Sequence, residues 1–145
     1  VIHESDLPKG KGFSPVQNQI KDGKTKIKIN LLKANKKPDS GIIYESLWMN
    51  IPKYKIYDEI REIQANASKQ LMIKFLKKYP FNKGIKQKGR STYYKKLTHK
   101  DDEISIHKNI YQLFDQLRVN NYKQFPNYFF IHGKKIYLKI YKTIK

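Results

Sequence analysis

The feature that most limits the possible folds is a long helical periodicity in the middle of the chain. Residues 55–79 carry apolar side chains at three- and four-residue intervals with lysines on the far side, which predicts an amphipathic helix. Pro80 ends the pattern, because proline has no backbone N–H to continue a helix. The predicted apolar face consists of Ile56, Ile60, Ile63, Ala67, Leu71 and Phe75.

Strands and a shorter helix precede this segment. Residues 25–33 alternate between apolar and polar side chains, which predicts a half-buried strand with Asn30 on its polar face. Residues 42–49 are rich in β-branched and aromatic side chains and predict a second strand, after a turn over residues 36–41. Ser14 and Pro15 predict the N-cap and the first position of a short helix that ends at Asp22 and Gly23.

A second set of elements follows a connector rich in lysine and glycine, residues 81–90, which is the one candidate domain boundary. Residues 91–97 read as extended, and a second amphipathic helix is predicted from apolar positions beginning at Ile106 and ending at Leu117. The chain closes with a predicted hairpin, residues 128–132 and 135–141, around Gly133 and Lys134. Helices and strands are both predicted along the chain, and we expect a fold of the α/β class.

Composition removes several function classes. The 145 residues include no cysteine, which excludes disulfide scaffolds, thiolate zinc sites and cysteine nucleophiles, and we expect no metal site. Because no apolar run approaches the roughly 18 residues that cross a bilayer, we expect a soluble, cytoplasmic protein without a membrane partner.

The formal charge of +19 is compatible with a polyanionic partner. Only three of the 31 basic residues are arginines, however, and lysine is a weak indicator of specific phosphate or base recognition. A solvated lysine-rich surface is therefore the simpler interpretation. The alternative is a nucleic-acid-binding module whose stacking platforms are Tyr93, Tyr94, Tyr128, Phe129 and Phe130.

His3 and Asp39 form the best candidate site. His3 ends a short β-branched run and leads into a loop shaped by Pro8, Gly10 and Gly12, while Asp39 lies in the turn between two predicted strands. Ligands bind at strand ends of α/β sheets, where loops converge on a rigid base. A carboxylate beside an imidazole fixes its tautomer and stabilises its cation, as a general base requires. Alternatively, His3 makes a structural hydrogen bond and Asp39 sets an Asx-turn.

Two motifs at a fixed separation resemble the formyltransferase family. The loop after His3 matches the family's histidine segment, and Asp39-Ser40-Gly41 resembles its aspartate turn, 36 positions after His3. The family includes methionyl-tRNA formyltransferases and sugar-nucleotide N-formyltransferases that use 10-formyltetrahydrofolate. Val1 stands where the family usually has an asparagine two positions before its histidine. The matching residues of the first motif are His3, Ser5, Leu7, Pro8, Gly12 and Pro15.

The second half of the chain is similar to the family less specifically. Residues 94–104 resemble a stretch of the sugar N-formyltransferases, although His99 stands where they tend to have proline. The resemblance implies that residues 1–82 are the C-terminal part of a Rossmann-like formyltransferase catalytic domain. Residues 83–145 are then a small α+β subdomain with a helix and a hairpin. On this interpretation an N-terminal segment of the enzyme is missing from the chain.

The resemblance also implies roles for individual residues. His3 takes a proton from the amine of the acceptor, and Asp39 orients His3 and holds its charged form. The cofactor pocket for 10-formyltetrahydrofolate is shaped by Ser5, Leu7, Pro8 and Gly12. Lys9 and Lys11 are candidate contacts to the folate tail or to an acceptor phosphate, and solvated lysines are the alternative.

The resemblance allows two acceptors. The preferred one is the amine of an amino-sugar nucleotide, because the segment after residue 90 is short for an RNA-binding domain and Asp101-Asp102 resembles the sugar group. The alternative is methionyl-tRNA. A homodimer is a further expectation.

Overall fold

The computed structural model describes residues 1–143, and no helix among them is both long and apolar enough to cross a membrane. The helices are α1 (Pro15–Lys21), α2 (Tyr57–Leu76) and α3 (Ile110–Val119), with a 3-10 helix at His99–Asp102. The strands are β1 (Ile2–His3), β2 (Lys11–Gly12), β3 (Lys26–Leu32), β4 (Ile43–Asn50), β5 (Tyr93–Tyr94), β6 (Asn127–Ile131) and β7 (Lys134–Leu138).

The main sheet has three strands in the order β1-β3-β4. Both pairings are antiparallel, with His3 opposite Asn30 and Ile27 opposite Met49. The predicted α/β architecture is present as helices packed on small sheets. These three strands do not themselves show the parallel order of a Rossmann-like domain, which stays a prediction.

The first core lies between the main sheet and the helices. Alternate side chains of β3 point into it, and α2 covers it with a stripe of small and branched residues. This burial removes apolar surface from water at about 25 cal/mol per Å², the principal favourable term in folding. The buried members are Val16, Ile20, Ile27, Ile29, Met49, Ile51, Ile60, Ala67, Leu71 and Val119.

A second, smaller core joins α3 to the hairpin β6-β7. Ile104, Leu113 and Leu117 are buried there, and Phe129 and Leu138 of the hairpin pack against them. Helix α3 faces both cores, since Val119 belongs to the first one. The division of the chain at residues 82 and 83 stays a prediction, but α3 contacts the first part directly.

Helix α1 begins at Pro15 and ends before Asp22, as predicted, but Ser14 has a left-handed backbone (φ 47°) and its side chain makes no capping hydrogen bond. The bounds of the other two helices differ from the predicted ones. Helix α2 begins at Tyr57 and ends at Leu76, before Pro80. Helix α3 begins only after Asn109, whose side chain accepts from the backbone N–H of Gln112, so Ile106 lies outside the helix and is exposed.

Two strand predictions also need correction. Asn30 is fully buried rather than on an exposed polar face, because the segment after β1 covers it. The final hairpin turns at His132 and Gly133, one position earlier than predicted, with a positive φ at both residues.

Candidate active site

The loop that follows β1 is held in place by a segment far along the chain. Strand β2 in this loop pairs with β5 in parallel. The backbone N–H of Gly10 donates to Oγ1 of Thr92 over 2.8 Å, and that of Lys11 donates to the Thr92 carbonyl over 2.9 Å. Gly12 approaches Tyr94 so closely that a Cβ there would lie 2.5 Å from the Tyr94 carbonyl oxygen. The loop thus depends on residues beyond the connector.

His3 is enclosed beneath this loop. It is only 5% exposed, and its Nε2 lies 2.9 Å from the carbonyl oxygen of Gly10. A carbonyl oxygen can only accept a hydrogen bond, so this contact requires the proton on Nε2. The other ring nitrogen, Nδ1, is left for the acid–base chemistry of the ring.

Asp39 meets His3 at that other nitrogen. Its Oδ1 lies 3.3 Å from His3 Nδ1, and its Oδ2 accepts from the backbone N–H of Gly12 over 2.9 Å. The Asp39 side chain is 13% exposed, so the pair reaches solvent through the carboxylate. The structure therefore brings together the two residues that the sequence singled out. Their catalytic role stays a prediction.

Asp39 was expected to fix the tautomer of His3, but the contacts give this role to another group. The Gly10 carbonyl fixes the tautomer, and Asp39 faces the nitrogen that gains or loses a proton. When Nδ1 carries a proton, that N–H lies toward the Asp39 carboxylate, which can accept it. The two groups are therefore placed to hold one proton between them.

Asn30 supports the site from below. It lies opposite His3 in the sheet register, its Nδ2 donates to the Ser5 carbonyl, and its Oδ1 accepts from Ser46 Oγ. Because the Nδ2 and the Oδ1 of this buried side chain both have hydrogen-bond partners, Asn30 fixes the position of Ser5 at the start of the loop. Sequence analysis missed this residue because the alternation of β3 assigned it to the exposed face.

The predicted cofactor-binding residues are placed around the same loop. Ser5, Leu7 and Pro8 are buried, and Ser5 Oγ has no hydrogen-bond partner among the described residues. Gly12 is half-buried and its N–H is used on Asp39. Contact of these four residues with a cofactor stays a prediction.

The two loop lysines differ in their surroundings. Lys9 is exposed, as expected of a solvated lysine, but Lys11 is only 6% exposed. The solvated alternative therefore does not describe Lys11, whose backbone pairs with the Thr92 carbonyl. A role for either side chain in substrate binding stays a prediction.

Asp101 and Asp102 have structural partners. Asp101 accepts from the backbone and the hydroxyl of Thr98, and these hydrogen bonds lower the pKa of its carboxyl. Burial raises the pKa of Asp102, which accepts from Asn120. Because local structure accounts for both, this stretch does not favour a sugar acceptor over tRNA.

The side chains of residues 1–143 do not form a metal centre, and the aromatic residues named for base stacking differ in exposure. The described residues contain no group of three or more histidine, aspartate or glutamate side chains that could hold a metal ion. Among these aromatic residues, Tyr128 is buried, whereas Tyr93 and Phe130 are exposed to solvent.

Comparison with known proteins confirms the resemblance to formyltransferases. A methionyl-tRNA formyltransferase of Rickettsia massiliae is 29% identical over 136 residues, which cover 93% of this chain and 44% of that protein. The chain thus spans less than half the length of this curated relative. No protein-family model matches the chain.

Solved structures show the same fold. A methionyl-tRNA formyltransferase from Clostridium thermocellum matches with a TM-score of 0.83 at 23% identity, over 99% of this chain and 63% of that chain. An N-formyltransferase from Helicobacter canadensis, in complex with folinic acid and dTDP-3-aminofucose, matches with a TM-score of 0.71 at 19% identity, over 93% and 51%. The described residues therefore have the fold of the corresponding part of a formyltransferase.

Proposed function

We propose that this chain supplies the His–Asp part of an N-formyltransferase site that transfers a formyl group from 10-formyltetrahydrofolate to a primary amine. The observation that carries the proposal is the 3.3 Å approach of His3 Nδ1 to Asp39 Oδ1. The chain is then the C-terminal part of a Rossmann-like catalytic domain followed by a small subdomain. A cytoplasmic location and a homodimer remain predictions of the same account.

The loop residues fit a folate-like ligand. Ser5 Oγ is buried without a hydrogen-bond partner among the described residues, and such an unused group can serve a polar atom of a ligand. Gly10 and Gly12 both have positive φ values, which let the backbone of this loop turn tightly. The bound 10-formyltetrahydrofolate supplies the formyl carbon that the amine attacks.

The His3–Asp39 pair handles the proton of that attack. As the amine nitrogen forms its bond to the formyl carbon, it becomes positively charged and must lose a proton. The edge between His3 Nδ1 and Asp39 Oδ1 accepts it, while the Gly10 carbonyl keeps the Nε2 proton in place. The same proton is then available to the leaving nitrogen when its bond to the formyl carbon breaks, which regenerates the pair.

Two acceptor classes are supported by different observations. The relatives named methionyl-tRNA formyltransferase and the charge of +19 favour a tRNA acceptor. The sugar-nucleotide complex of the Helicobacter canadensis protein favours an amino sugar. A primary amine is common to both, and the His3–Asp39 pair is suited to take the proton that this amine loses.

The test incubates the natural polypeptide that carries this chain with 10-formyltetrahydrofolate and a panel of amines. The panel contains methionyl-tRNA, uncharged tRNA and several amino-sugar nucleotides, and mass spectrometry detects one added carbonyl group on the acceptor. The proposal predicts formylation of either methionyl-tRNA or an amino sugar. No formylation of any amine, together with salt-sensitive retention of uncharged tRNA, contradicts it and favours a lysine-rich nucleic-acid-binding module.

A further inference from the structure

Gln87 contacts the aspartate turn although it comes from the connector, 48 positions after Asp39. Its Nε2 donates to the carbonyl oxygens of Asp39 and Gly41, each over 2.8 Å. The two hydrogens of one amide group thus bridge two carbonyls that are two residues apart. Such a bridge fixes the direction in which the turn between them points.

The backbone of the Asp39 turn is constrained at two positions. Asp39 has a left-handed backbone (φ 53°), which aspartate adopts more readily than most residues but at a higher cost than glycine. Gly41 lies so close to Lys33 that a Cβ there would be 1.8 Å from the Lys33 carbonyl oxygen. The turn is therefore pressed against Lys33 on one side, and Gln87 holds its carbonyls from another.

The two polar atoms of the Gln87 side chain differ in their hydrogen bonding. Its Oε1 is buried without a hydrogen-bond partner among the described residues, which costs free energy. Its Nε2, by contrast, makes two short hydrogen bonds to the turn that carries the site carboxylate. The amide nitrogen is therefore the part of the residue that the site uses.

We propose that Gln87 is a positioning residue that holds the Asp39 turn so that the carboxylate faces His3 Nδ1. The inference rests on the proposed function for its catalytic meaning. Gln87 touches neither reacting atoms nor His3 in this account, and it acts through Asp39 alone. The connector thereby becomes part of the active site.

Gln116 offers a matched control. Its Nε2 also donates to two carbonyls two residues apart, those of Asp101 and Glu103, at 3.2 and 2.9 Å. This second bridge lies in the C-terminal part of the chain and makes no contact with the His3 site. The same substitutions at both positions therefore separate the loss of a glutamine bridge from its effect on the site.

The experiment makes Leu and Glu variants of both glutamines in the natural polypeptide that carries this chain. Neither Leu nor ionised Glu can donate a hydrogen bond, and Leu adds no charge. NMR spectra of the histidine ring nitrogens report which of them carries the proton, and His3→Gln identifies the His3 signals among those of the other histidines. Asp39→Asn gives the reference for a ring that has lost its carboxylate.

We expect Gln87→Leu and Gln87→Glu to move the His3 Nδ1 signal toward its position in Asp39→Asn. Gln116→Leu and Gln116→Glu are expected to leave that signal unchanged. Unmoved His3 signals in both Gln87 variants, with a clear shift in Asp39→Asn, overturn the positioning role. The positioning role is also overturned if the Gln116 variants shift the His3 signals as far as the Gln87 variants do.

Activity gives a second and separate readout. In the natural polypeptide, Gln87→Leu is expected to lower formyl transfer by about 10²-fold, as misplacing a catalytic group does, while Gln116→Leu leaves it unchanged. If the His3 signals move in the Gln87 variants but the native protein transfers no formyl group, the proposed function is contradicted and the positioning role of Gln87 still holds. Normal transfer in Gln87→Leu removes the positioning role and leaves the proposed function intact.

Discussion

The backbone N–H of Gly12 lies 2.9 Å from Oδ2 of Asp39 and joins the loop after β1 to the turn before β4. Because the other oxygen of the same carboxylate faces His3, this bond fixes the rotation of the carboxylate about its own axis. Only proline lacks a backbone N–H, and its fixed φ of about −65° does not fit the φ of 95° at Gly12. A side chain added at Gly12 should instead shift the loop and so redirect this N–H.

Gly12→Ala is expected to lower the free energy of unfolding by more than the roughly 1–2 kcal/mol that a left-handed backbone costs an ordinary residue. Gly12 has a φ of 95°, and an added Cβ would also meet the Tyr94 carbonyl oxygen at 2.5 Å. The loop must move to relieve this overlap and so withdraws its N–H from Asp39. Urea unfolding measures the loss.

Gly23→Ala is the matched control for this prediction. Gly23 also has a positive φ, 80°, but no heavy atom lies within 4 Å of its added Cβ. It should therefore show the cost of the left-handed backbone alone. Equal losses in the two variants contradict the close approach of Gly12 to Tyr94.

Arg118 is expected to stabilise the contact between α3 and the segment after β4. Its buried guanidinium donates from Nη1 to the carbonyls of Pro52 and Lys55 and from Nε to Asp115. Arg118→Met removes these donors and should lower the free energy of unfolding by about 1–3 kcal/mol. Arg90→Met, at an exposed position, should change it by less than about 0.5 kcal/mol. Equal stabilities of the two variants refute the prediction.

Glu59 gives the stability an acid-sensitive component. Burial tends to raise the pKa of its carboxyl, but hydrogen bonds from Lys142, Lys55 and the backbone of Ile56 outweigh burial and lower the pKa from 4.5 to about 2. A lowered pKa contributes stability that is fully present above pH 4.5 and is lost as the pH falls toward about 2. Glu59→Gln should therefore be less stable than the native chain at neutral pH, and this difference should shrink over that range.

Unfolding free energies measured by urea titration at several pH values test the effect of Glu59. Glu62→Gln, three positions along α2 at an exposed site, is the control and should follow the native pH dependence. A Glu59→Gln chain with the same acid sensitivity as the native chain is the contrary outcome.

Short-range patterns predicted most of the elements. The spacing of Ile60, Ala67 and Leu71 predicted the buried face of α2, and the alternation of Ile27 and Ile29 predicted the inward face of β3. The His3–Asp39 pair was first named because both residues lie in loops at predicted strand ends. The resemblance to the formyltransferase family then strengthened that prediction, since no local pattern joins residues 36 positions apart. The separation of the motifs carried that resemblance.

The sequence could not predict the features that depend on distant neighbours. Asn30 looks like an exposed strand residue until the loop after β1 is folded over it. Gln87 lies in a polar connector, and nothing nearby indicates that its amide reaches the Asp39 turn. Ser14 has the right side chain for a cap, but its left-handed backbone prevents it from acting as one.

The most direct test of the central claim compares formyl transfer by the natural polypeptide with that of its His3→Ala and Asp39→Asn variants. Loss of a general base typically costs 10²- to 10⁴-fold in rate, so kcat should fall by about that factor in His3→Ala and substantially in Asp39→Asn. His107→Ala and Asp22→Asn, at exposed positions, should keep the native rate. A His3→Ala variant that formylates its acceptor at the native rate contradicts the account.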